Sequence, residues 1–209
     1  MMITKKIFII CFALFFIPFV SGTEKEINGA DVQKYLKQVE QFFNSISTFK
    51  SDFIEISSKG WQSSGSFCMK RQPAMLKMDY KIPPTKIIIV KNNKVIYYDK
   101  ELKEKSVTSV YSSPLAFFLD SKVNICENLE VISCLKMDSM LVMVFRKKDD
   151  KDEENGVVAL IFSLKPFQLT GWEIYRNSAQ MDIEIPIRVY LKEPKINQKI
   201  SDDEFNGYD

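Results

Sequence analysis

From Phe49 onward the chain reads as a close succession of short segments whose side chains alternate with a period of two. They are "FKSDFIEIS", "GSFCMK", "LKMDY", "KIIIV", "VIYYD", "SVTSV", "LEVISCL", "LVMVFR", "VVALIFS", "LTGWEIY" and "MDIEIPIRVY". Turn signals separate them: "QP", "IPPT", "KNNK", "DKELKE", "KPF" and "RNSAQ". About eleven strands with such tight links can pair only as an antiparallel meander, because parallel crossovers need a dozen residues or more. A sheet that long has to curl. In the last segment Met181, Ile183, Ile185, Ile187 and Val189 share one face, and Asp182, Glu184 and Arg188 the other. Pro186 cannot donate to a ladder, which predicts a position near a sheet edge. The charged stretch from Lys147 to Gly156, with Asp149 and Asp150, reads as a solvated turn.

Two stretches break the pattern. In "DVQKYLKQVEQFFNSI", Val32, Tyr35, Leu36, Val39, Phe42, Phe43 and Ile46 recur at helical spacing, with Asp31 placed as an N-cap. In "SSPLAFFLD", residues 112–120, Ser113 can cap and Pro114 suits the first helical position. Leu115, Phe118 and Leu119 follow as a short apolar face. The expected architecture is mainly β, a large curled antiparallel sheet of about eleven strands with an apolar concave face and two aromatic-rich helices. Those helices either fill the concavity as a core or close over a space that holds something greasy.

Residues 1–22 read as a secretory leader. "MMITKK" is a positive n-region, "IFIICFALFFIPFV" an apolar run too short to span a bilayer, and "VSG" a small-residue cleavage site. Cys11 lies inside the apolar run as an ordinary member of it. Residues 23–209 then form a single exported domain. The leader carries Lys5 and Lys6 and no acid, so its loss leaves 27 acidic residues balanced by as many basic ones. That balance argues against a nucleic-acid binder.

The chain contains no histidine. This removes Ser–His and Cys–His nucleophile arrangements and imidazole metal sites. With seven glycines and no phosphate-binding loop, neither an enzyme nor a cofactor is expected. Export permits a Cys126–Cys134 disulfide, with Cys68 left over. The spacing of the three matches no metal motif, and all three read as small buried apolar residues.

One residue breaks the apolar alternation. In "GSFCMKRQPAMLKMDY", Arg71 falls in phase with Phe67 and Met69, on the face that should point inward. A guanidinium there either snorkels to solvent along its own stem or finds acceptors at helix ends, which leave backbone carbonyls unpaired.

The blocks "SFCMKRQPAMLKMDY", "PPTKIIIVKNNKVIYYDKELKE", "SSPLAFFL", "KPFQLTGWEI" and "ISDDEF", in that order, resemble the LolA family of periplasmic outer-membrane lipoprotein carriers. The resemblance implies an open barrel with a helical lid. It also implies acylated lipoproteins as cargo, an ATP-driven releasing complex in the inner membrane upstream, and the outer membrane or its acceptor downstream. It implies a periplasmic monomer.

Arg71 matches the family's lid-holding arginine, in "KRQP" where the family has "KRP". Phe43, Phe118 and Leu119 match the closed lid. Strand parity adds the cavity residues Phe49, Phe53, Phe67, Met69, Leu76, Met78 and Tyr80. Leu115 with Ile183, Ile185 and Ile187 complete the expected lining. Competing expectations are a generic periplasmic fatty-acid barrel or a lipoprotein sensor on the same scaffold. An outer-membrane acceptor would need a cysteine where this chain has Thr23.

Overall fold

The computed structural model describes residues 25–26, 29–110, 116–148, 156–175 and 186–207. The leader, Ser113, Pro114, Leu115, Met181, Asp182, Ile183, Glu184, Ile185 and most of the charged 147–156 turn lie outside that set.

Eleven strands follow in the predicted succession, the last described over Ile187–Ile196 where the alternation predicts 181–190. They are β2 (Thr48–Ile56), β3 (Gln62–Arg71), β4 (Ala74–Ile82), β5 (Lys86–Lys91), β6 (Lys94–Asp99) and β7 (Glu104–Ser109), then β8 (Leu129–Lys136), β9 (Met140–Lys147), β10 (Val157–Leu164), β11 (Phe167–Tyr175) and β12 (Ile187–Ile196). A two-residue β1 (Lys25–Glu26), not legible in the sequence, pairs with β8. All pairings are antiparallel, in the order β1-β8-β9-β10-β11-β12-β2-β3-β4-β5-β6-β7. The outermost strands do not meet, so the barrel is open.

Local chemistry sets the turns. Asn92 and Asn93 take φ of 53° and 59° and join β5 to β6, a conformation asparagine tolerates and tight hairpins require. Gly65 sits at the register shift between β3 and β4. A Cβ there would lie 2.1 Å from the Asp79 carbonyl oxygen, so only glycine lets the two backbones approach.

The edge predicted from Pro186 is not observed. Strand β12 lies in the middle of the sheet, between β11 and β2. The proline precedes the first paired residue, Ile187, so no ladder donor is lost.

Helix α1 (Gly29–Ser45) presents Leu36, Val39, Phe42 and Phe43 to the sheet. It starts two residues before Asp31, which lies in the first turn and not at the cap; a carboxylate there still meets the positive end of the helix. The described part of the second interruption is a single 3-10 turn, Ala116–Leu119. A one-turn helix α2 (Ile125–Asn128), also unforeseen, leads into β8.

Side chains of α1 and of the Ala116–Leu119 turn join those of the concave strand face in one apolar core. A second cluster lies on the convex face. There the C-terminal turn Asp202–Phe205 buries Phe205 against Cys68, Met75 and Ile200. Ion pairs Lys50–Glu204 and Lys70–Asp202, each 2.6 Å, flank it. Their exposure makes them weak, so Phe205 supplies most of the hold.

Replacing Gly65 by alanine should lower unfolding stability by roughly 2 kcal/mol or more, read from urea titration, because backbone must move. A loss below about 0.5 kcal/mol would mean that the crossing at Gly65 is looser than described.

Candidate functional site

The concave face is lined by the inward residues of β2, β3 and β4. Phe49, Phe53, Phe67, Met69, Met78 and Tyr80 are all buried there, and Leu76 is half-buried against them. Register explains the grouping: Phe49 pairs with Met69, Met69 with Leu76, and Phe67 with Met78. Ile187, at the start of β12 opposite Ile174, is half-buried and stays outside the core cluster.

Over this face the covering elements interlock through their rings. Phe43 of α1 meets Phe118 edge-on with centroids 4.9 Å apart. Phe118 meets Trp172 of β11 at 5.9 Å, and Trp172 meets Phe67 of β3 at 5.6 Å. Phe42 packs edge-on against Phe162 at 5.6 Å. Leu119 is buried beside Phe118. The concavity is thus filled by side chains in this state. Trp172 did not stand out in the sequence, although a tryptophan midway along a strand is a natural filler for a wide concave face.

Arg71 ends β3 beneath the cover and is 6% exposed. Its Nη1 donates to the backbone carbonyl of Asp120, immediately after the Ala116–Leu119 turn. Its Nε and Nη2 are buried and meet no acceptor among the described residues. Burial pulls the guanidinium pKa below its ordinary value, and the Asp120 carboxylate acts in the opposite sense. Burial likewise raises the Asp120 carboxyl, which Arg71 lowers and Glu127 raises further. The Arg71 backbone N–H donates to the Ser47 carbonyl at 3.0 Å, fixing the strand end to the start of β2.

Two polar residues of α1 hold the chain that follows the turn. Asn44 Nδ2 donates to the Val123 carbonyl at 2.9 Å, and Asn44 Oδ1 accepts from the Val123 N–H at 2.8 Å. Glu40 accepts from the Ile125 N–H at 2.8 Å, satisfying a donor at the start of α2. Nothing in the spacing of "QVEQFFNS" marks these residues, because their partners lie about eighty positions away.

Toward the other end of the concave face sits a buried polar group. The Tyr80 hydroxyl donates to Glu55, and Lys86 lies 3.5 Å from that carboxylate and 4.2 Å from the Tyr80 ring centroid. Burial first, then Glu55, raises the Tyr80 pKa.

A separate cleft of about 430 Å³ opens between the first half of α1 and β8, lined by Val32, Leu36, Cys126, Ile132 and Cys134 among others. Cys126 and Cys134 are both free. Cys68 and Cys134 are buried as expected, but Cys126 is exposed, because it sits on the outer side of α2. No group of residues able to hold a metal occurs among the described residues.

The match to a family model covers residues 44–207: "Outer membrane lipoprotein carrier protein LolA". An outer-membrane lipoprotein carrier protein of Methylococcus capsulatus is 24% identical over 151 residues, 69% of this chain and 71% of that protein. Among solved structures, an uncharacterized conserved protein of Thermus thermophilus superposes with a TM-score of 0.51 at 9% identity, over 84% of this chain and 92% of that one. A LolA superfamily protein of Nitrosomonas europaea gives a TM-score of 0.39 at 9% identity, over 82% and 97%.

Burial pushes the thiol pKa values of Cys68 and Cys134 up to about 11. Native protein lacking residues 1–22 should therefore react quickly with one equivalent of a thiol reagent at pH 8, at Cys126, and with two more only after unfolding. Because both folded pKa values exceed the unfolded value, the unfolded chain loses its thiol protons first. Stability should then fall as pH rises from about 9 to 11; a flat alkaline limb would contradict the assigned burial.

Proposed function

Since the chain belongs to the outer membrane lipoprotein carrier family LolA, whose members bind lipoproteins and act in the periplasm without catalysis, we propose that it ferries acylated lipoproteins between membranes. In this reading residues 1–22 are a cleaved leader and residues 23–209 one carrier domain. The chain accepts lipoproteins from an ATP-driven releasing complex in the inner membrane and hands them to the outer membrane or an acceptor there. The acyl chains enter the concave face, displacing the cover formed by α1 and the Ala116–Leu119 turn.

The observation that carries this reading is the condition of Arg71. A buried guanidinium that satisfies one acceptor and, among the described residues, leaves Nε and Nη2 unmatched makes the covered state only modestly favourable. Each buried methylene is worth ~0.8 kcal/mol, so one long acyl chain in water costs on the order of ten kcal/mol. Transfer from bilayer to apolar cavity is nearly neutral, since both are hydrocarbon-like. A carrier working near that balance needs a cover that opens cheaply and then presses its cargo out on closing. Arg71 acts as the latch, with Phe43, Phe118 and Leu119 as the apolar faces that part. Phe49, Phe53, Phe67, Met69, Leu76, Met78 and Tyr80 receive the chains, together with Leu115, Ile183, Ile185 and Ile187.

The test is release from spheroplasts that retain newly made outer-membrane lipoprotein. The processed chain should bring lipoprotein into the supernatant as a one-to-one complex. Arg71→Leu removes from the covered state both the hydrogen bond to the Asp120 carbonyl and the cost of burying Nε and Nη2. If Arg71 is the latch, the variant should load but hand its cargo to outer membranes more slowly than the wild type. No release by the wild type, with fluorescent fatty acids still bound, would reduce the protein to a generic lipid-binding barrel.

A further inference from the structure

The hairpin turns after β2, β4 and β6 all lie at one end of the sheet, since these strands run in the same direction. Each turn, or for β4 the strand end leading into it, exposes one large apolar side chain beside a lysine. Trp61 is 75% exposed two residues after Lys59, Ile82 is 70% exposed next to Lys81, and Leu102 is 69% exposed next to Lys103. Neighbouring strands lie about 4.8 Å apart, so the three pairs follow one another at steps of roughly 10 Å along the rim. At the opposite end, the turns Gln72–Pro73, Asn92–Asn93 and Lys165–Pro166 expose no large apolar residue, and one such side chain, Ile196 beside Lys195, is 40% exposed at the end of β12.

The lysines of the three pairs form no ion pair among the described residues. The other lysines near this rim differ: Lys86 is held by Glu55, and Lys100 by Asp79. Glu101 and Glu104, the latter next to Lys103, are the exposed acids at the Leu102 turn. Burial energetics inside the protein explain none of the three apolar tips, because each turn is closed by hydrogen bonds that do not involve the apolar side chain. In the first, the Ser57 N–H donates to the Trp61 carbonyl at 2.8 Å. In the third, Asp99 accepts from the N–H groups of Glu101 and Leu102 at 2.9 Å.

Tryptophan beside lysine, repeated as aliphatic beside lysine, is the chemistry of a surface that meets anionic lipid headgroups. The apolar tips enter the interface while the ammonium groups stay at headgroup level. We propose that this three-turn rim docks on the surface of an anionic phospholipid bilayer. The rim caps the end of the concave face marked by Glu55, Tyr80 and Lys86, so docking would bring that mouth against the membrane. Only this purpose rests on the carrier reading; the docking itself does not.

Flotation with empty vesicles tests it without any cargo. The processed protein is mixed with vesicles of phosphatidylethanolamine and phosphatidylglycerol, or of phosphatidylcholine alone. The wild type should float with the anionic vesicles, with a blue shift in emission from Trp61, the exposed member of the two tryptophans. A Trp61→Ser, Ile82→Ser, Leu102→Ser triple variant should keep its melting point and lose at least about ten-fold in partitioning. Replacing Lys59, Lys81 and Lys103 by glutamine should cost roughly five-fold per lysine on anionic vesicles only. Two results would overturn the assignment. One is a wild type that ignores both vesicle types, which would leave the rim to a protein partner. The other is a triple apolar variant that floats as well as wild type, which would place the contact at the concave face.

Discussion

An open sheet with an apolar hollow must be covered, and everything else in this chain follows from how the covering is done. The strands of a closed barrel would satisfy one another, but here β1 and β7 remain apart. The hollow is filled instead by aromatic side chains from α1 and the Ala116–Leu119 turn. Phe43, Phe118, Trp172 and Phe67 form a continuous row of ring contacts from helix to sheet. Such contacts are strong in sum and weak one by one, which is what the proposed parting of the cover from the sheet would require.

The polar contacts along that seam are unequal. Asn44 and Glu40 tie the chain around Val123 and Ile125 to α1 with well-formed hydrogen bonds. These keep α1 and the following segment together as one body. Among the described residues, Arg71 links that body to the sheet through a single carbonyl, with Nε and Nη2 unmatched. The physical division is therefore between a firmly clasped cover and a lightly held contact to β3. A fully matched arginine would favour the covered state more strongly and would suit a fixed core better than a carrier.

Much of this was legible in the sequence, and the failures have identifiable causes. Period-two alternation located all eleven longer strands, and the phase of Arg71 with Phe67 and Met69 put it on the inner face. Local patterns misled where position in the sheet decides the outcome. Pro186 suggests an edge, but it lies just before the ladder, and its strand is central. Asp31 resembles a cap, but the helix starts at Gly29. Cys126 reads as buried like Cys68 and Cys134, but α2 turns it outward. The Asn44 and Glu40 contacts, and the packing of Phe205 on Cys68, join positions far apart in the chain. No local period encodes them.

The most direct test is to find where an acyl chain rests when bound. A lipopeptide with a photoactivatable group near the end of its acyl chain can be loaded, cross-linked and mapped by mass spectrometry. The account predicts adducts on Phe67, Met69, Phe118 and Trp172, beneath the cover. Adducts confined to Val32, Leu36 and Ile132, in the cleft between α1 and β8, would contradict it.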